Sequence, residues 1–319
     1  MKKIYFLILI VCLLSACQAE APVTNVSIAT SGVTSVPTTE KPTSVPTPVP
    51  ATETVLPTAE PTQQSMRISP NDGMTQLYVP AGNLHMGGLD IFAENDEKPV
   101  HVVQLNAFWI DQVEVTNGMY GLCVQAEVCT LPAKLNSDNR ADYFGNPEFQ
   151  DYPVVYVTWM DARTYCEWAG RRLLTEAEWE RAARGDDMRT YPWGDEPPNA
   201  ELVNFNNTVG DTSRVGSYAE GASPFGVLDM AGNVWEWVTD YYDVKYYAES
   251  TDANPTGPAE KTGRYNRVLR GGSFQDEILN MRVSNRGYAL GPDPSAIPPT
   301  HAFYGISSVK IGFRCVADH

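Results

Sequence analysis

Asp229-Met230-Ala231-Gly232-Asn233-Val234-Trp235-Glu236-Trp237 is the stretch on which the reading of this 319-residue chain depends. Gly-Asn stands where a backbone can reverse sharply, so a carboxylate and several main-chain carbonyls can converge there on a hard cation. The same letters also describe a turn entering a buried strand, with Trp235 and Trp237 as core. The rest of the chain decides how the two readings combine.

At the N-terminus, Lys2 and Lys3 precede an apolar run, Ile4 to Leu14, that is too short to span a bilayer. It ends at Leu14-Ser15-Ala16-Cys17, which resembles a bacterial lipobox. Residues 1–16 are therefore expected to be a lipoprotein signal peptide and Cys17 the lipidation site. Acyl chains on Cys17 would tether the protein to the lipid bilayer. The expected location is extracytoplasmic, on the bacterial cell membrane or envelope. Residues 17–65 are dominated by Pro, Thr, Val, Ala and Ser, as in Thr43-Ser44-Val45-Pro46-Thr47-Pro48-Val49-Pro50. No apolar period survives there, and such a composition cannot offset its ordering entropy, so the segment reads as a disordered stalk.

Residues 66–319 suffice for one large domain with a substantial core. A net charge of −16 argues against nucleic acid, since nothing would neutralise phosphates. Acidic surface outside the cell suits calcium, and equally suits plain solubility. Beyond Cys12 and Cys17, the cysteines are Cys123, Cys129, Cys166 and Cys315, and an oxidising compartment makes disulfides their default. Three pairings exist. The short loop favours Cys123 with Cys129, leaving Cys166 with Cys315. Two helices are marked by capping boxes, Thr158 with Asp161 and Thr175 with Glu178, and closed by Gly170 and Gly185. Elsewhere the apolar runs are short, which predicts an α+β domain with much irregular backbone.

In order, the chain also carries Met86-Gly87-Gly88, Glu97-Lys98-Pro99-Val100-His101, Phe108-Trp109-Ile110-Asp111 and Glu114-Val115-Thr116-Asn117. Pro153 to Trp159, Arg172 to Glu180, Tyr191-Pro192-Trp193-Gly194, Arg270-Gly271-Gly272-Ser273 and Gly312-Phe313-Arg314-Cys315 follow. This series resembles the sulfatase-modifying-factor family, which includes the formylglycine-generating enzymes. Leu174 departs from it, replacing the proline usual before Thr-Glu-Ala-Glu. The resemblance implies the formylglycine-generating-enzyme fold, a C-type-lectin-like α+β domain with little regular secondary structure, and it agrees with a Cys166–Cys315 disulfide. It implies a calcium ion on Asp229, Met230, Gly232 and Val234, and a second, weaker site at Asn204, Phe205 and Asp211.

Formylglycine-generating enzymes use copper(I) on two thiolates, a soft ion on soft ligands. The family's two cysteine positions are Asp276 and Met281 here, and no cysteine occurs between Phe274 and Arg314. Copper is therefore not expected, and no catalytic residue is assigned. His85, His101, His301 and His319 show no paired ligand spacing, and His101 reads as scaffold. Arg270, Ser273, Phe274, Arg282 and Arg286 are expected to wall a cleft for a peptide or protein ligand, unless the arginines salt-bridge within the acidic domain. The functional expectation is a tethered peptide-binding or assembly module. Two alternatives are a divergent oxidoreductase using Asp276 and Glu277 on a protein side chain, and a lectin-like carbohydrate binder using Tyr241, Tyr242, Tyr246 and Tyr247.

Overall fold

Phe108–Asp111 is buried along its whole length in the computed structural model, which describes residues 65–259, 265–293, 295–296 and 304–319. The signal peptide, Cys17 and the stalk up to residue 64 lie outside the described residues. A strand with no solvent face needs neighbours on both edges and layers on both sides. This one, β5, has Thr75–Val79 (β2) on one edge and Cys315–Asp318 (β11) on the other. Met66–Ile68 (β1) and Arg172–Leu173 (β6) complete an antiparallel sheet of order β1-β2-β5-β11-β6.

A second sheet has the order β10-β7-β8-β9, made of Ile311–Gly312, Trp235–Tyr241, Asn266–Arg270 and Gly287–Leu290. Only the β10–β7 pairing in it is parallel. Gly82–Met86 (β3) and His101–Leu105 (β4) pair as a separate ladder. The remaining described backbone is largely turns and short 3₁₀ segments around three helices, Asn117–Gln125 (α1), Trp159–Trp168 (α2) and Glu176–Arg184 (α3). This is the expected α+β architecture.

The period of two in β7 separates two cores. Trp235 and Trp237 pack with Tyr165, Phe313 and the Cys166–Cys315 disulfide, whereas Val238 packs with Leu174, Trp179 and Val268. The opening stretch is thus both a turn and a buried strand. Both cysteine pairings form: Cys166–Cys315 joins α2 to β11 with Cα atoms 5.7 Å apart, and Cys123–Cys129 closes the end of α1 at 5.3 Å. Both capping boxes are present as well, with Thr158 accepting from the Asp161 amide and Thr175 from the Glu178 amide. Each such cap is worth about 1 kcal/mol.

Helix α3 departs from an ordinary amphipathic pattern because all nine of its residues are buried. Trp179, Ala182 and Ala183 face the core, and the opposite side carries Glu176, Glu180, Arg181 and Arg184. Glu178 is buried as well, against Arg172 at 2.7 Å, and burying five charges is tolerable only if each is paired and hydrogen-bonded. Glu176 receives Arg286 at 2.7 and 3.0 Å, and Glu180 receives Arg184 at 2.9 Å and Arg270 at 2.6 Å. Arg181 meets Asp186 at 2.5 Å.

At the start of the same helix, Asp240 on β7 accepts the Glu176 amide at 2.9 Å and the Thr239 hydroxyl at 3.0 Å. Burial first, and then the Glu176 carboxylate, push its pKa up to about 7. A folded-state pKa above the unfolded value favours folding at low pH, and this contribution is lost as pH rises from about 4 through 7. Asp240→Asn keeps the acceptor and removes the charge. It is expected to raise stability over the parent at pH 8, by up to about 4 kcal/mol if the full shift is relieved, and to leave it nearly unchanged at pH 4.5. Calorimetric melting at the two pH values measures this difference; an equal effect at both would remove the electrostatic explanation.

Candidate functional site

The turn from Asp229 to Val234 places three residues in the left-handed region, Asp229 at φ +56°, Gly232 at +71° and Asn233 at +56°. Glycine is required at 232 twice over, because a Cβ there would also lie 2.3 Å from the Asn204 carbonyl. The close approach lets the turn bond to its surroundings. Asn233 N–H donates to the Asn204 carbonyl and Gly232 N–H to the Gly271 carbonyl, each at 2.9 Å. The Asn233 side chain accepts from Ser213 N–H at 2.8 Å and donates to Glu114 Oε2 at 2.6 Å.

Three buried carboxylates surround this turn. Glu236 takes Arg314 Nη2 at 2.6 Å, Arg314 Nε at 2.8 Å and the Trp179 indole N–H at 2.9 Å. Glu114 accepts from Asn233 and from Val234 N–H, and Asp229 from Gly216 N–H at 2.6 Å. Neither Glu114 nor Asp229 forms an ion pair with a described residue. Burial holds the Asp229 pKa up at about 6, with Glu236 adding to it. Burial also lifts Glu114 well above the usual carboxylate range, helped by the charges of Asp229 and Glu236. The one guanidinium here is paired with Glu236 alone, and a divalent cation on the Asp229 turn would balance the remaining carboxylates. Among the described residues no three His, Cys, Asp or Glu side chains are placed to hold a metal ion together. Such a cation would rest on Asp229 and on main-chain carbonyls of the turn. Met230 contributes its side chain to the core instead, so only its carbonyl is available.

The second predicted set fits a cation poorly. The Asp211 carboxylate already has Ser137 Oγ at 2.6 Å, Thr212 N–H at 2.7 Å, Asn139 N–H at 2.9 Å and Arg140 at 3.2 Å. The Phe205 carbonyl takes the Thr208 amide and hydroxyl. Asn204 Oδ1 is buried without a partner among the described residues, but one such oxygen falls short of the six to eight that calcium takes.

The expected cleft is not open. Arg270, Ser273 and Phe274 are fully buried, and Arg282 and Arg286 nearly so. Their donors are used internally. Arg270 bonds Glu180 and the carbonyls of Val283, Ser284 and Asn285, and Arg282 bonds Glu97 twice at 2.7 Å. Salt bridging within the acidic domain prevails because each guanidinium finds a buried carboxylate. The tyrosine run is likewise packing: Tyr246 and Tyr247 are buried, and Tyr242 donates to Asp96 at 2.7 Å.

Asp276 and Met281 have different roles. Met281 is buried with Tyr191, Val203 and Ala231. Asp276 lies half-buried at the surface, where Oδ2 accepts from the Trp235 indole at 2.9 Å, Ser273 N–H at 3.1 Å and Ser273 Oγ, and Oδ1 lies 3.9 Å from Lys310 Nζ. All four described cysteines are in disulfides. This donor set does not fit a dithiolate copper(I) ion. Sequence reasoning missed Glu114, Glu97 and Arg314, although all three stand in the motifs it used.

Residues 62–319 match the family model described as "Sulfatase-modifying factor enzyme 1-like domain". The formylglycine-generating enzyme of Streptomyces coelicolor is 33% identical over 78% of this chain and 91% of that protein. The hercynine oxygenase of Mycolicibacterium thermoresistibile is 34% identical over 62% of this chain, which spans 50% of that longer protein. PvdO from Pseudomonas aeruginosa has a solved structure that is 28% identical, with a TM-score of 0.65 over 80% of this chain and 98% of that one. With the fold, the ordered motifs and these matches in agreement, the chain belongs to the sulfatase-modifying factor enzyme 1-like family.

Proposed function

We propose that this chain is a membrane-tethered, extracytoplasmic binding or assembly module that has the family's scaffold and does not make formylglycine by the copper route. The observation that carries this reading is the state of the thiols. All four described cysteines are disulfide-bonded, and the two positions corresponding to the family's copper ligands hold a hydrogen-bonded carboxylate, Asp276, and a core methionine, Met281. Asp276 is fixed by three donors, so it shapes the Ser273 turn. The 3₁₀ turn that follows it exposes Ile278 and Leu279, with Lys310 near the carboxylate, and this mixed surface is the proposed contact for an extended peptide or a protein partner. Purified full chain loaded with copper and incubated in air with a Cys-X-Pro-X-Arg peptide is expected to yield no aldehyde by mass spectrometry. Aldehyde formation would overturn the reading.

Calcium on the Asp229 turn belongs to the same proposal. It is supported by the left-handed turn, the Asp229 carboxylate and the unbalanced negative charge around Arg314. Calcium added to chelated protein is expected to give one saturable binding heat and to raise the melting temperature, by about 2.7 kcal/mol of stability at one hundred times Kd. Asp229→Asn should weaken that binding at least tenfold. Absence of both heat and thermal shift in the parent protein counts against the site.

A second reading is a divergent oxidoreductase acting on a protein side chain, and the name of one relative, hercynine oxygenase, favours oxidation chemistry. It would need a metal or acid–base group outside the family's thiol positions. Stoichiometric transition metal in native protein would support it over the binding module.

A further inference from the structure

Arg267 on β8 differs from the arginines described above. Arg270, Arg282, Arg286 and Arg314 each meet a buried carboxylate, whereas Arg267 forms no ion pair among the described residues. Uncharged groups hold it. Its guanidinium carbon stands 3.5 Å from the Tyr241 ring centre and 4.1 Å from that of Trp159, and Nη1 donates to the Thr239 carbonyl. Nε is buried with no acceptor among the described residues. Stacking on two aromatic rings fixes the plane of the fork and attracts the cation to the ring faces. It does not supply the counter-charge that a desolvated cation requires. Burial is the main influence lowering the Arg267 pKa, and the nearby Arg163 charge acts in the same sense.

The space beside this guanidinium is a hollow of about 200 Å³ lined by Trp159, Arg163, Glu167, Arg172, Leu173 and Thr239, together with Arg267 itself. Of its three guanidinium groups, only that of Arg267 lacks a carboxylate partner among the described residues. Arg172 is committed to Glu178 and Asp318, each at 2.7 Å, and Arg163 to Glu167 at 2.7 Å. Nη2 of Arg267 makes no hydrogen bond to a described residue. The hollow shares Arg172 and Thr239 with a cleft of about 600 Å³ that presents the amides of Asn106 and Asn254 and the hydroxyls of Thr175 and Thr256. That wider lining adds no lysine or arginine, and its side-chain carboxylates, Glu178 and Asp318, are both paired with Arg172.

We propose that the hollow is an oxyanion subsite, in which the Arg267 fork binds the carboxylate, sulfate or phosphate group of a ligand whose polar body lies in the adjoining cleft. A planar guanidinium already fixed by stacking loses little rotamer freedom on accepting a two-pronged oxyanion, which lysine could not do equally well. Arg163 is the second cation, at the rim, and Trp159 and Leu173 exclude water from one side. The subsite lies at the Tyr241 end of β7, opposite the Trp235 end that meets Asp276, so it does not depend on what the Asp276 surface binds.

The full chain, titrated calorimetrically with sodium sulfate, sodium phosphate or sodium acetate against chloride at matched ionic strength, tests the site. A saturable single-site heat is expected with at least one of the three. Binding by the tetrahedral ions alone assigns an ester group to the ligand, and binding by acetate alone assigns a carboxylate. Arg163→Gln is expected to weaken the response about fivefold and Arg267→Gln to abolish it, while the near-ultraviolet circular dichroism of both stays that of the parent. Arg163 is half exposed, so its variant keeps the test valid if Arg267→Gln does not fold. No saturable binding of any of the three ions, or affinities unchanged in Arg163→Gln, overturns the proposal.

Discussion

The bidentate pair between Arg314 and Glu236 is the contact on which the rest of this domain depends. Glu236 lies in β7 of the second sheet, and Arg314 immediately precedes Cys315 at the start of β11 in the first. The same guanidinium also donates to the carbonyls of Asp111, Gln112, Leu228 and Asp229. One side chain thus joins the end of β5, the approach to the Asp229 turn and both sheets. Apolar packing could supply comparable stability here, but it lacks direction. A fork with five donors fixes the positions of several carbonyls at once, and turns without regular hydrogen-bond ladders need that directional information.

The same physics recurs around α3. Little of the described chain is regular structure, so many main-chain groups cannot be satisfied by neighbours in a helix or sheet. Arginine carries much of that load: Arg270 serves three consecutive carbonyls, Arg286 those of Asp96 and Asp243, and Arg184 that of Gly87. Each of these cations needs a buried anion, which is why Glu97, Glu176, Glu180 and Glu236 are inside. Removing one member of such a pair leaves the other charged and desolvated, at a cost of about 3–5 kcal/mol. The acidic composition accordingly reflects the interior as well as the surface.

Several features were legible in the sequence because their causes are local. Thr158 with Asp161 and Thr175 with Glu178 are three residues apart, and the caps formed as written. Cys123 and Cys129 are close enough in the chain for loop length to indicate their pairing, which then fixed the other. The tryptophans of the opening stretch alternated at the period of a strand. The arginines were a different matter. Nothing near Arg270, Arg282 or Arg286 in sequence names their partners, which stand 90, 185 and 110 positions away at Glu180, Glu97 and Glu176. Without those partners, three arginines beside a glycine pair read as a cleft wall. The burial of Glu176 and Glu180 on α3 is hidden for the same reason, since their partners Arg286 and Arg270 lie far along the chain.

The environment of Asp276 and Met281 follows from this organisation. The Arg270-Gly-Gly-Ser273 loop is fixed from below by Arg270, and its far side is closed by the Asp276 carboxylate, which binds Ser273 and the Trp235 indole. A carboxylate in that position performs a structural task that a thiolate would do weakly, because sulfur is a poor hydrogen-bond acceptor. Its hydrogen bonds tie the loop to the first residue of β7. Met281 similarly fills the space against Gly272, where a Cβ would come within 2.5 Å of the methionine Cε. A thiol at either position would therefore remove a hydrogen-bond anchor or a core side chain. Both residues are committed to holding the scaffold, Asp276 through directed hydrogen bonds and Met281 through packing.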